Sequence, residues 1–556
     1  MSRAPETDVG RRRHSRRARG SGDCGPRQRP FHQPSFHAAP TSAVSEDELE
    51  AIHLASLAIL RDIGIDVLHP EARTLLTGAG ATVDSEPPRV RFDPDLVTEI
   101  IANAPSEFTL HARNPAHHLR IGGNAVAFGA VASAPNVTGL GEGRRVGTAR
   151  DFRALVRLSQ CLEAVHFHGG YPVEPIDIHP SVRHLHATFD LLTLSDKAIH
   201  SYSLGRQRTL DTIEMTRIAR RLSGDELDQQ PSVFTVVNTS SPLRLDGPMI
   251  EGMIELSARN QPVVVTPFTL AGAMAPVTIA GALAQQNAEA LAGIALTQVI
   301  RRGAPVVYGG FTSNVDMRSG APAFGTPEYV KAALVGGQLA RRYGLPYRSS
   351  NVNAANSLDA QAAYESLFSL WGAVMGGANM IFHAAGWMEG GLCASFEKMV
   401  LDAELLQMIA VALEPLVVDD DSLALDAIAE VGPGGHFFGA DHTRARYRTA
   451  FHSPMVSDWR NYEAWDSAGR PTGDRRLHSR QRSCLRPPRR QCVRHRRLEP
   501  RIQDDRRRQA DGRDAGSRPQ AGRAEAFHAR SICDRPHLRG QELEFPLGVT
   551  HQGVTR

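Results

Sequence analysis

The side chains with the most chemistry to offer are aromatic and polar, and they stand just after short apolar runs. Tyr171, Tyr202, Phe268, Phe311 and Trp387 supply aromatic faces. His168, Asn238, Thr239, Thr266, Asn351, Asn353, His383 and Glu389 supply polar groups at matching places, and glycines 169, 170, 309, 310 and 386 lie between them. Grouped round one opening, aromatic faces form a cage for a quaternary ammonium ion, each good face being worth roughly 0.5–2 kcal/mol. Ordinary loop packing is the competing reading for each ring taken singly. It is weakest for Trp387, whose neighbours in AAGWMEGG are mostly small. His383 reads equally as a core histidine, and Glu389 as an acid at a helix start.

Other chemistries leave signatures that the chain lacks. It has no HExxH, no DxD run at a strand end and no GxSxG turn, so a metal centre and a hydrolase nucleophile are not expected. GLGEG at 139–143 has the glycines of a phosphate loop but no Lys-Ser/Thr after them, and it reads as a turn.

The elements that must position these residues alternate strictly. Strands are predicted near Ala125–Val131, Ala164–Gly169, Ala198–Leu204, Ser232–Asn238, Pro262–Phe268, Pro305–Phe311, Tyr347–Val352 and Asn379–His383. Helices are predicted between and after them, near 148–162, 180–195, 206–223, 248–260, 279–302, 327–343, 357–375 and 395–413. Strand followed at once by helix implies parallel strands with helical crossovers. Eight such units in about 290 residues predict an α/β fold, a (β/α)8 TIM barrel with its chemistry at the carboxyl ends of the strands. Before it, SEDE at 45–48 is a capping box, and 45–106 reads as a helical N-terminal cap. The barrel with its aromatic tail, expected to pack on it, spans 107–465.

The chain of 556 residues has 41% hydrophobic content and a formal charge of only +3. The arginine excess sits at the ends. Residues 1–40 and 474–556 lack periodicity, and the second stretch contains no lysine. Both read as irregular tails, disordered or translated out of frame, in preference to nucleic-acid-binding arms. Six scattered cysteines without a CxxC pair indicate no disulfide framework, and a cytoplasmic setting is expected. No apolar run approaches a membrane span.

Several segments resemble the trimethylamine methyltransferase (MttB-like) family. They are SEDELEAIHLASLAILRDIGIDV at 45–67, YGGFTSNVDMRSGAPAFGTPE at 308–328, SLDAQAAYES at 357–366, GGANMIFHAAGWMEGGLCASFEKMVLDAEL at 376–405 and GGHFFGADHT at 434–443. The resemblance implies a TIM barrel that moves a methyl group from a methylated amine to the Co(I) of a cognate corrinoid (cobalamin) protein. It implies no tightly bound cofactor, and a homo-oligomer is expected. Trimethylamine enzymes of the family carry pyrrolysine, which this chain lacks, so a quaternary amine such as a betaine is the expected substrate. A related N-methyl compound and a non-catalytic amine binder are the alternatives. On this reading Trp387, Phe311, Phe268 and Tyr171 cage the ammonium. Asn351, Asn353 and His383 orient the polar end, and Arg348 or Arg318 meets a carboxylate. His383 and Glu389 are the catalytic candidates, and Gly309, Gly310 and Gly386 leave room for the corrinoid face.

Overall fold

Valine-rich runs make the heart of the molecule. The computed structural model describes residues 28–84, 86–139, 143–202 and 204–485. Seven parallel strands form one curved sheet: β1 Ala127–Ala130, β2 Ile199–His200, β3 Val233–Val237, β4 Val263–Val265, β5 Val306–Gly309, β6 Tyr347–Ser350 and β7 Met380–Ala385. Their spatial order is β1-β7-β6-β5-β4-β3-β2, with registers such as Val264 opposite Val307 and Ser349 opposite Ile381. Strands like VVV and VFTVV are buried on both faces, as parallel strands under helices must be. The eight crossover helices fall within a few residues of expectation, from 149–161 to 396–412.

The predicted strand at Ala164–Gly169 is the exception. Only Phe167 bridges, once to Gly129 of β1 and once to Ala198 beside β2. A histidine side chain takes over part of the ladder here. His166 Nδ1 accepts the Phe128 N–H at 2.9 Å; between the paired strands β2 and β3, His200 Nε2 likewise accepts the Val236 N–H at 3.0 Å. Backbone groups bound to imidazoles are not available to a neighbouring strand.

Three further expectations need correction. The cap at 45–106 is not purely helical. Strands 65–67, 82–83 and 89–91 pair with 244–245 in a small mixed sheet. Residues 28–40 are placed against the edge of β1, since Phe36 is buried, its N–H bonds Asn124 O at 2.8 Å, and Val126 N–H bonds Pro34 O at 2.9 Å. Residues 474–485 belong to the helix Gly473–Leu485, which packs on 396–412 and 149–161. Leu477 is its buried anchor, and Arg476 and Arg480 cap the Val456 and Met455 carbonyls at 2.8 Å. The remaining parts of both expected tails, 1–27 and 486–556, lie outside the described residues, as does most of GLGEG. The aromatic tail is tied to helix 396–412 at Met455, where Glu404 accepts the Met455 N–H at 2.7 Å. Before that point, Phe438 and Phe451 stand in solvent. Among the described residues, no helix is long and apolar enough to cross a membrane.

Candidate active site

A cavity of about 210 Å³ opens where the sheet strands end. Phe268, Phe311, Arg348, Phe382, His383, Trp387, His200, Tyr202 and Asn238 are among the residues that line it.

β7 builds the richest wall. Its register with β1 breaks between Ile381 and Ala385, and His383 takes a left-handed conformation with φ 53°. That conformation costs a non-glycine residue roughly 1–3 kcal/mol, and such strain gathers at functional sites. The bulge turns the imidazole inward, where it stacks on the Trp387 indole at 5.2 Å and 23°. Phe311 stands edge-on to both rings at 6.2 and 6.4 Å. Phe268 lies 5.0 Å from Phe311, and Phe324 backs Trp387 at 5.4 Å. Gly391 passes under the indole with φ 98°, where a Cβ would meet the ring at 2.7 Å.

Arg348, on β6, is the only charged residue lining this wall. Its guanidinium lies 4.6 Å from the Phe382 ring and 5.3 Å from the Phe311 ring. It is 2% exposed. Nη1 donates a long bond of 3.4 Å to Gly310 O, and Nε has no partner. No carboxylate pairs with it among the described residues. Burial lowers its pKa to about 10, so it is a cation at neutral pH. Two aromatic faces offset only part of the desolvation of such a charge. Burial first, and the Arg348 charge second, hold the His383 imidazole well below its ordinary pKa. His383 is therefore a neutral ring, 3.3 Å from Ser350 Oγ through Nδ1.

The turn that carries Trp387 is fixed from behind. Asp402 accepts the Gly386 N–H at 2.8 Å and pairs with Lys398 Nζ at 2.6 Å, and both side chains are fully buried. Burial pushes the Asp402 carboxyl up while Lys398 pulls it down. Asp402→Ala strands the ammonium in the core and is expected to destabilise the fold by about 3 kcal/mol. Thermal denaturation checks this, and a loss below about 1 kcal/mol contradicts a structural role for the pair.

Other expected site residues stand elsewhere. Tyr171 is behind the wall, 4.3 Å from Tyr202, whose hydroxyl bonds Ser133 Oγ at 2.6 Å. Asn351 donates to Ala384 O at 3.2 Å, and Asn353 to Ala362 O at 2.9 Å, so both serve the backbone. Glu389 accepts from Arg144 at 3.1 Å and does not line the cavity. Arg318 is exposed. Gly309 lies so close to β4 that a Cβ would meet Thr266 Oγ1 at 2.1 Å, and Gly310 and Gly386 likewise face the chain's own side chains. The room these glycines leave is already filled, so the expected corrinoid cradle does not form there. Phe382 and His200 are among the lining residues not singled out from sequence. Phe382 read as strand core, and His200 lay hidden inside a predicted strand. Among the described residues, no group of three or more His, Cys, Asp or Glu side chains is placed to hold a metal ion.

This arrangement suits a small zwitterion: one fixed cation for an anionic end, and neutral aromatic rings for a cationic end. The family model described as trimethylamine methyltransferase (MTTB) matches residues 10–511. A glycine betaine methyltransferase of Desulfitobacterium hafniense (strain Y51) is 35% identical over 445 residues, 80% of this chain and 92% of that protein. The trimethylamine methyltransferase MttB of Desulfitobacterium hafniense (strain DSM 10664 / DCB-2) is 31% identical over 438 residues, 76% of this chain and 85% of that protein. Among solved structures, the Methanosarcina barkeri monomethylamine methyltransferase (MtmB) aligns over 81% of this chain and 95% of its own, at TM-score 0.44 and 12% identity, a likeness too distant to carry an argument.

Proposed function

Since the chain belongs to the trimethylamine methyltransferase family, we propose that it demethylates a carboxylate-bearing quaternary amine, a betaine, and passes the methyl to the Co(I) of a corrinoid protein. The unpaired, buried guanidinium of Arg348 carries this reading. Trimethylamine offers it nothing, because that amine has no anionic group. A betaine places its carboxylate on Arg348 and its ammonium against Phe311 and Trp387. We read the sheet accordingly as a (β/α)8 barrel completed by the Phe167 bridges, with this cavity at its mouth.

The geometry implies what each residue does. Arg348 fixes the carboxylate and thereby the direction in which the methyl groups point. Trp387, Phe311 and Phe268 replace the hydration of the ammonium without offering it a counter-charge that would bury the reacting carbon. His383, held neutral, stiffens the indole and neither gives nor takes a proton at ordinary pH. No general acid is needed, because the nitrogen leaves as a neutral tertiary amine with the C–N electron pair. His383 and Glu389 are therefore not proton donors in this scheme. When presented by its carrier protein, a Co(I) corrinoid supplies the electron pair that the methyl carbon receives. The carrier would meet the mouth without the help of Gly309, Gly310 or Gly386.

Isothermal titration of the full chain with glycine betaine, choline and trimethylamine tests the proposal. Saturable heat from the betaine, with choline and trimethylamine at least tenfold weaker, is the expected result. Equal binding of all three contradicts the role of Arg348. Trp387→Ala should raise the betaine dissociation constant about tenfold, and an unchanged constant in the same titration removes Trp387 from the cage.

A further inference from the structure

Two of the residues that line the cavity carry a buried polar atom without a partner among the described residues. One is Arg348, at Nε, and the other is His200, at Nδ1. His200 ends β2, and its side chain is buried. Its tautomer is fixed by its partner. A backbone N–H can only donate, so the 3.0 Å contact from the Val236 N–H makes Nε2 the acceptor. Burial holds the pKa down at about 3, so the ring is neutral and its one proton sits on Nδ1. The orphan is therefore an N–H donor on the wall of the cavity.

The ring is held where it stands. Val236 engages one nitrogen, Tyr202 stands edge-on at 5.0 Å and 85°, and Phe234 at 5.4 Å and 71°. Neighbouring core histidines differ. His166 takes the Phe128 N–H on one nitrogen and gives the proton of the other to His32 O. His168 also leaves Nδ1 without a partner, but its Nε2 meets the Ser195 hydroxyl, which can give or take a proton, and it does not line the cavity. Among the described histidines, only His200 joins a fixed tautomer, an orphaned N–H and a place on the cavity wall. A buried donor is costly to leave unpaired, so one kept beside a cavity asks for a ligand acceptor.

We propose that His200 Nδ1–H is the second anchor of the substrate's carboxylate, whose two oxygens divide between this N–H and the Arg348 guanidinium. The inference rests on the betaine reading above. β2 and β6 bring the two donors to one cavity from separate strands, and a run of phenylalanine rings links them. The guanidinium lies 4.6 Å from the Phe382 ring, and Phe234, which packs on His200, lies 5.9 Å from the same ring. Arg348 supplies the charge and His200 the direction. Being neutral, the imidazole adds a donor without burying a second cation. A carboxylate has acceptor oxygens and no proton, so it satisfies both groups at once, and its charge strengthens each hydrogen bond. A hydroxyl or an amide is a weaker, uncharged acceptor, and a bare tetraalkylammonium offers no acceptor at all. His200 is thus a specificity-determining residue that selects a carboxylate end over uncharged ends of similar size.

Calorimetric titration of the full chain with glycine betaine and with tetramethylammonium tests the anchor. His200→Gln keeps an acceptor for the Val236 N–H but carries its amide nitrogen one bond farther from the backbone than Nδ1. It should raise the betaine dissociation constant about thirtyfold, the effect of losing one hydrogen bond to a charged group, and change that of tetramethylammonium less than threefold. His200→Asn returns an amide nitrogen to the Nδ1 position and gives up the Val236 contact. It should recover most of the betaine affinity while its urea midpoint falls. A merely structural role predicts the reverse order, with the asparagine variant the weaker binder. Unchanged betaine affinity in His200→Gln, or equal weakening of both ligands, overturns the anchor and leaves the betaine reading standing. A wild-type chain that binds no betaine overturns both.

Discussion

Replacing Arg348 with Met should weaken glycine betaine binding about 400-fold, the middle of the range for deleting one member of a buried charged pair, while the folded protein loses no stability. The two halves of this expectation come from one observation. The guanidinium is desolvated between Phe311 and Phe382 and meets no carboxylate among the described residues. In the free protein it is therefore a cost, and an apolar chain of similar length removes that cost. In the complex it is the one fixed charge that a substrate carboxylate can use. Calorimetric titration and urea denaturation of the same preparation separate the two effects. Arg348→Lys should recover little binding, because a lysine ammonium cannot reproduce the planar fork or lie flat between two rings. If the Arg348→Met protein binds betaine normally, the carboxylate lies elsewhere. If it unfolds, Arg348 is part of the core and the unpaired charge has been misjudged.

The sequence made the repeating frame readable because that frame is periodic. Runs such as PVVVTPF at 262–268 and APVVYGG at 304–310 are bounded by turn residues and dominated by valine, and they fold as β4 and β5. The strand at 164–169 misleads for a reason that periodicity cannot express: His166 spends its imidazole on the Phe128 backbone N–H. The site shows the same division. Phe311, Phe268, Trp387 and His383 were legible as polar or aromatic residues after apolar runs, Arg348 was reached only through the family resemblance, and one cavity gathers all five. Asn351 and Asn353 look identical to them in one dimension. Only in three dimensions do their amides turn back to Ala384 and Ala362. Phe382 is lost for the opposite reason, since a phenylalanine inside a strand signals core whether or not a cation lies on its face. The segment 28–40 shows the limit of composition. Its order comes from the β1 edge, through the Phe36 and Val126 bonds, and not from any pattern of its own.

Mild acid should unfold this protein, and the buried histidines determine the window. Burial lowers His166, His168 and His200 to about 3. In the unfolded chain each takes a proton near pH 6.5. Between about pH 6.5 and 3 the unfolded state thus binds more protons than the folded one, and stability falls as pH falls through this range. At pH 5 each histidine removes on the order of 2 kcal/mol and the three together on the order of 6 kcal/mol. That loss is comparable with the whole stability of many domains, about 5–15 kcal/mol. Carboxylates act in the same direction only at lower pH. Asp196, for instance, is held below the usual carboxylate range by His117, Gln160 and Asn114 against the opposing effect of burial, so its contribution disappears below about pH 4. The interval from pH 7.5 to 5 therefore reports chiefly the buried histidines, His383 among them, while the raised Asp402 carboxyl acts in the opposite direction. Urea midpoints should drop steeply across it. His200→Gln, whose amide can still accept the Val236 N–H, should reduce the slope by about one proton's worth, roughly 1.4 kcal/mol per pH unit. Equal midpoints at pH 7.5 and 5 would mean that these imidazoles are protonated in the folded state, which needs a hydrogen-bond acceptor that the fold, with His200 Nδ1 and His168 Nδ1 both buried and unpartnered, does not provide.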